Sequence, residues 1–388
     1  MAEETYPPFK IAKIEISKTI SRRQHFQRVH KKLLNHKDVI FEALQQLESD
    51  WAGFCFVKIL FCNADESCNF TEAYCKTMRN VQEKNPAGRR IVWIPDLFDV
   101  ALLKSFLDNE DVEEQILDKH LVAFEKLGQF LDTVEDTNKI LQNELKIESI
   151  KEGRWASIFG THVLKMLAVY DQMKIDSGYC ELSTECPCGC KKPINIDDNS
   201  MGHEEVWHGS VDILLGPTCI EVFNSYQGDE DDFLESSNSA FERKRGKLEN
   251  SQNQLISESI TFAFAMRGGV VPLIGISKSS FIIYMYDPDD DLLYESTSMP
   301  LFLDSVKGRQ LHFSSVVALW IAINHSYFFK GVQASHVEFG YKANLQNFLG
   351  EEQHEIYQKH IRMGGLRHVN SNVVEFKAGM NKGKFKRF

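Results

Sequence analysis

No stretch of the 388-residue chain approaches the run of about 18 apolar residues that a transmembrane helix requires, and residues 1–10 hold no apolar run of signal-peptide length. The longest apolar stretches, 270–276 and 316–323, have the length of core elements. These absences predict a soluble intracellular protein, cytoplasmic or nuclear, with no membrane partner. The nine cysteines cannot all pair, being odd in number, and in such a compartment they are expected as buried thiols or metal ligands. The chain also lacks a P-loop, a dinucleotide-binding glycine fingerprint, a G-x-S-x-G elbow, an H-E-x-x-H helix and any internal repeat, which removes the commonest enzyme signatures. Acid is scarce at both ends. Between Lys10 and Lys37 nine basic residues stand against Glu15 alone, and residues 377–388 hold five basic residues and no acid. The net charge is nevertheless −11, so the body between them is strongly acidic. Basic ends can meet nucleic acid or an acidic partner, or can be a solvated helix face and a tail.

What is present is an ordinary globular composition, 43% hydrophobic and 26% charged, enough for a core that needs no staple from disulfides or metal. The length suggests two or three domains. In residues 1–147, Phe26, Val29, Leu33, Val39, Ile40, Leu44 and Leu47 recur at mostly helical spacing. The run 53–62 reads as a buried strand, 71–82 as a helix, 90–94 as a short strand, and 96–107 and 111–145 as helices. Cys55, Cys62, Cys68 and Cys75 have no C-x-x-C spacing and read as buried thiols.

Residues 148–335 have a different pattern. Trp155, Ile158, Phe159, Val163, Met166, Leu167, Tyr170 and Met173 form one stripe of a helix over 152–174. A cysteine-rich loop leads to strands over 206–215 and 219–223, parted by Gly216-Pro217-Thr218. An acidic loop, 228–235, precedes a long helix over 239–267, ended by Gly268-Gly269. Strands over 270–276 and 281–286 and a buried helix over 314–329 follow. Residues 336–388 read as a polar extension with a basic tail. The expected fold is therefore α/β: an α-rich N-terminal domain with a small sheet, then a mixed-sheet core flanked by helices.

The order helix, strands, helix, strand is the scaffold of one large nuclease group. His208-Gly209-Ser210-Val211-Asp212-Ile213-Leu214-Leu215 followed by Thr218-Cys219-Ile220-Glu221-Val222 resembles the restriction-endonuclease-like PD-(D/E)xK superfamily, over about a third of the chain. The resemblance implies a nucleic-acid substrate and a Mg²⁺- or Mn²⁺-dependent phosphodiesterase, with Asp212 and Glu221 as catalytic metal ligands and Glu152 as a further acidic ligand from the preceding helix. The physics agrees. Mg²⁺ wants hard oxygen ligands, and carboxylates on neighbouring strands about 4.8 Å apart can share one ion and activate water. The superfamily expects lysine two residues after the glutamate, where this chain has Phe223. Lys244 or Lys247 on the next helix, or Lys165 on the first, could replace it. Without such a lysine the chain is a catalytically inactive relative serving as an interaction or sensor protein, a reading that the acidic body favours. Gln254 and Glu258 could line the site, but the segment 252–258 reads better as the wet face of its helix. The sequence identifies no protein partner.

A second group, Cys180, Cys186, Cys188 and Cys190 with His203 and His208 downstream, offers the sulfur and nitrogen ligands that Zn²⁺ takes. The C-x-C-x-C spacing is unusual for zinc, and the alternative is a loop of free thiols or one redox-sensitive pair. His162, on the apolar stripe of the first helix, reads as a core histidine.

Overall fold

The computed structural model describes residues 21–49, 52–79, 92–108, 110–147, 150–178, 184–223, 251–267, 269–305, 308–331 and 341–366. Cys180, Lys244, Lys247, the acidic loop 228–235 and the basic tail 377–388 lie outside the described residues.

The N-terminal part of the described chain contributes a layer of helices: α1 (Arg22–Leu34), α2 (Lys37–Leu47), α3 (Val100–Asp108) and α4 (Asp118–Leu145). A capping box between Ser21 and Gln24 starts α1, satisfying two N-terminal donors at once. Several basic side chains of this region are half-exposed and paired with acids of the same helical layer. Arg22 pairs with Asp118 at 2.9 Å, Arg28 with Glu125 at 3.0 Å, Lys32 with Asp132 at 2.9 Å and Lys37 with Asp108 at 3.0 Å. Each such pair contributes little stability at a surface.

The strands of the large sheet are β1 (Gly53–Cys62), β2 (Cys75–Arg79), β3 (Met173–Asp176), β4 (Ile196–Asp197), β5 (Ile213–Leu215), β6 (Thr218–Val222), β7 (Val271–Ile276), β8 (Ser280–Asp287) and β9 (Leu292–Ser296). Their order is β2-β1-β9-β8-β7-β6-β5-β3-β4, and two short strands paired to β1 and β8 bring the described sheet to 11. Neighbours are antiparallel except β6–β7 and β3–β4. The parallel β6–β7 step needs a crossover, and helix α6 (Gln252–Ala265) stands in it. The strands of the N-terminal region thus share one sheet with the central segment.

Helix α5 starts at Glu152–Phe159, runs through a π turn at Gly160–Leu164 and ends with Lys165–Leu167. Two cores face opposite sides of the sheet. Ile220 and Val222 point to the larger one, with α1–α5 and α7 (Phe313–Ile323). Cys219 points to the smaller one, with α6 and α8 (Glu351–Lys359). Strand alternation on β6 therefore decides which side chains meet α6.

Three sequence expectations change. The helix expected over 71–82 is largely β2, because Cys75 to Arg79 pair with β1 and tertiary pairing outweighs local pattern. The helix expected over 152–174 stops at Leu167, and Met173–Asp176 is strand. The strand expected over 206–215 is two strands. Trp207–Ser210 joins a four-stranded sheet with Ser200–Gly202, Cys68–Asn69 and Arg362–Met363, while β5 joins the large sheet. The chain bends between them at Val211-Asp212. Among the described residues no helix is long and apolar enough to cross a membrane.

Candidate functional site

The turn at Gly216-Pro217 closes β5 and β6 in a register that pairs Ile213 with Ile220, which sets Asp212 opposite Glu221. Asp212 is fixed through its backbone. Its carbonyl accepts from the Asp176 N–H at 2.8 Å and from Asn199 Nδ2 at 3.4 Å. Its N–H donates to Glu221 Oε2 at 3.1 Å, and its own Oδ2 accepts from the Val222 N–H at 2.6 Å. The two acids therefore sit side by side on adjoining chain segments.

A third carboxylate joins them from α6. Glu221 is in register with Gly275 on β7. A Cβ at Gly275 would lie 2.9 Å from both methyl carbons of Leu255, so the leucine of α6 packs directly over the bare backbone of β7. That approach brings Gln254 within reach. Its amide Nε2 donates to Glu221 Oε1 and to Glu258 Oε1, each at 2.8 Å. Segment 252–258 is thus not a wet face: Glu258 is 0% exposed, and Ser257 beside it is buried as well. Asp212 is 0% and Glu221 2% exposed. Glu152, at the start of α5, is close enough for its charge to act on Asp212 and Glu221.

Burial of this kind disfavours charge. It pushes Asp212 up to about 8 against the opposing Val222 N–H, with Glu152 adding to the rise. Burial, then the charges of Asp212 and Glu258, hold Glu221 well above the usual carboxylate range. Burial also raises Glu258, against the Gln254 amide, and Asp212 adds to it. Among the described residues, Asp212 Oδ1 and Glu258 Oε2 are buried without a hydrogen-bond partner.

Where the resemblance reserves a lysine, Phe223 donates its N–H to Ile276 O at 2.8 Å and packs against the smaller core.

The second cluster differs from its expected membership. Cys186, Cys188 and Cys190 come together, and His162 from the π turn of α5 joins them, so His162 is not simply a core histidine. Its Nε2 lies 3.2 Å from Cys188 Sγ, 3.6 Å from Cys186 Sγ and 3.5 Å from Cys190 Sγ, and all four ligand atoms fall within 4.8 Å of one another. This group could hold a metal ion. His203 and His208 take no part. His208 Nδ1 donates to Val206 O at 2.8 Å, inside the small sheet. His203 Nδ1 accepts from the Glu205 N–H at 3.3 Å, and its ring lies beside His360. Both follow the cysteine-rich segment in the chain and are drawn to the small sheet by its pairing. The signal that could have found His162 is its polarity in an otherwise apolar stripe. Among the described residues every cysteine is a free thiol, and Cys55, Cys62, Cys68 and Cys75 are buried.

Comparison with known protein families, with curated proteins and with solved structures finds no match to this chain.

Proposed function

We propose that the chain is a divalent-cation-dependent phosphodiesterase of nuclease type, taking Mg²⁺ or Mn²⁺ at Asp212, Glu221 and Glu258. The observation that carries this reading is the pair of buried oxygens, Asp212 Oδ1 and Glu258 Oε2, that have no hydrogen-bond partner among the described residues. An unmatched buried acceptor costs free energy, and crowded buried carboxylates repel one another. A hard cation relieves both, because oxygen ligands of this type are what Mg²⁺ and Mn²⁺ select. The order α5, antiparallel β3-β5-β6, α6 and parallel β7 supports the PD-(D/E)xK reading. A bound ion there would supply Lewis acidity and a water of lowered pKa. The chain's own part is to present the anionic oxygens: the Val222 N–H holds Asp212, and the Gln254 amide orients Glu221 and Glu258.

For the thiol–imidazole group the ion that suits the donors is Zn²⁺. The free thiols support a reducing, intracellular setting, cytoplasmic or nuclear.

A second reading is favoured by one observation. Phe223 replaces the lysine, and three basic side chains of α1, Arg22, Arg28 and Lys32, are already paired within the protein. On that basis the chain is an inactive nuclease-fold protein that binds without cleaving. One experiment separates the readings. Full-length protein is incubated with single- and double-stranded DNA and RNA in Mg²⁺ or Mn²⁺, beside Asp212→Asn. Cleavage lost in the variant supports the enzyme. Retained binding without cleavage supports the inactive relative.

A further inference from the structure

We infer that His162, Cys186, Cys188 and Cys190 form a closed structural zinc site that fastens the 184–194 hairpin to the π turn of α5. The inference rests on residues separate from the carboxylate cluster and stands whether or not that cluster is catalytic.

The edges of the group have the size of a zinc tetrahedron. With Zn–S near 2.3 Å and Zn–N near 2.0–2.1 Å, N···S edges are about 3.5 Å and S···S edges about 3.8 Å. The three N···S edges here are 3.2, 3.5 and 3.6 Å, and the Cys186–Cys188 edge is 3.4 Å. A C-x-C-x-C run in extended chain would send alternate thiols to opposite sides. The hairpin avoids this by turning tightly. Cys186 N–H donates to Lys192 O at 2.8 Å, Gly189 N–H donates to Cys186 O at 3.1 Å, and Ile194 N–H donates to Thr184 O at 2.8 Å. Gly189 at φ +85° and Lys191 at φ +59° supply the left-handed residues of the turn. The fourth ligand comes from a π turn, the local widening of an α-helix that recurs at functional positions.

All four positions of the tetrahedron are filled by protein, which leaves no place for a reacting water and marks the site as structural. Zinc with three thiolates and a neutral imidazole carries a net charge near −1. Arg154 and Lys192 lie close enough to act electrostatically on these sulfurs. Arg154 is itself held by Glu144 at 2.8 and 3.0 Å. The consequence is mechanical. Residues 184–194 bring only Cys186 and Ile194 fully into the larger core, so four metal–ligand bonds are the principal tie of this hairpin to α5.

The test is metal analysis of the full chain purified without chelator, with Co²⁺ substitution as an optical probe. We expect about one zinc per chain, and cobalt-loaded protein with the d–d and thiolate charge-transfer bands of a tetrahedral site. Cys188→Ser and His162→Ala should lose most of the zinc. His162→Cys should keep it as a four-thiolate site, and His203→Ala and His208→Ala should be unchanged. Since His162 is buried and its alanine variant can fail to fold, Cys190→Ser, at the exposed position, is the second probe of the cluster. Stripping the zinc should lower Tm by about 5 °C or more. Wild type with neither zinc nor cobalt uptake overturns the site. Full zinc in folded His162→Ala overturns the fourth ligand, and an unchanged Tm after stripping overturns the fastening role. Asp212→Asn should retain all its zinc, so failure of the phosphodiesterase reading and failure of this one are told apart.

Discussion

Asp212 and Glu221 are locked to each other through the backbone: the N–H of Asp212 donates to Glu221 Oε2, while the N–H that follows Glu221 donates to Asp212 Oδ2. The lock positions two acids in a buried place where neither is comfortable as an anion, and the first prediction rests on that discomfort.

Asp212→Asn should stabilise the protein in EDTA at pH 8. Asparagine keeps an oxygen for the Val222 N–H and removes a charge that burial opposes. The sign follows from linkage. The folded pKa of Asp212, about 8, lies above its unfolded value near 3.9. Its contribution is therefore fully present below about pH 4 and is lost as pH rises through 8. The advantage of the variant should grow across that window to a few kcal/mol in urea melts. Saturating Mn²⁺ should reverse it by stabilising wild type alone. An advantage over wild type that is the same at pH 5 and pH 8 would falsify the buried-anion account.

His325 should give the opposite slope. It is buried, and burial lowers it from 6.5 to about 4. A base with a depressed folded pKa contributes stability that is present above the unfolded value, near 6.5, and lost as pH falls towards 4. Comparison of wild type with His325→Gln between pH 7 and pH 4.5 should show wild type losing about 2–3 kcal/mol more. Parallel pH profiles would show that the imidazole accepts its proton without cost.

Gly216→Ala should cost about 2–4 kcal/mol. Gly216 sits at φ +56°, and a Cβ there would lie 2.5 Å from two carbons of the Tyr170 ring. The ring cannot retreat freely, since its hydroxyl is hydrogen-bonded to Ser326 at 2.6 Å. Denaturation of Gly216→Ala, Tyr170→Ala and the double variant should reveal strong non-additivity, because removing the ring relieves the clash. Additive losses would mean that backbone strain alone is responsible.

Arg79→Met should destabilise by about 3–5 kcal/mol, and Arg79→Met/Glu295→Leu by much less. The Arg79 Nε lies 2.9 and 2.7 Å from the two carboxylate oxygens of Glu295, with the side chains 14% and 5% exposed. The pair reaches across β1, where Val57 and Cys55 are the register partners of Arg79 and Glu295. Removing the cation alone strands a buried anion. A double variant as unstable as the single would assign the loss to packing instead.

The sequence by itself determined the chemistry of the acids and the elements that carry them. Asp212 and Glu221 were legible because a short apolar strand, a Gly-Pro turn and a second strand place them opposite each other whatever surrounds them. The C-x-C-x-C run was legible as a cluster of ligands, since three thiols within five residues cannot be far apart. The α/β class followed from the two periodicities of apolar residues, which depend only on local geometry. The tertiary structure decided the rest. Nothing local distinguishes Glu258 on a wet helix face from Glu258 beside Glu221; the choice depends on α6 packing against the sheet, where Leu255 sits over Gly275 of the strand beside Glu221. His162 joined the three thiols in place of His203 and His208 because a π turn and a distant hairpin meet, while β-pairing drew the other two histidines into the small sheet. Residues 206–215 read as one strand because both halves favour extended chain, and only competition between two sheets for the same backbone donors broke them at Asp212. Local pattern fixes which side chains are available. Long-range packing and backbone pairing fix which of them share a site, because those energies are summed over partners far apart in sequence.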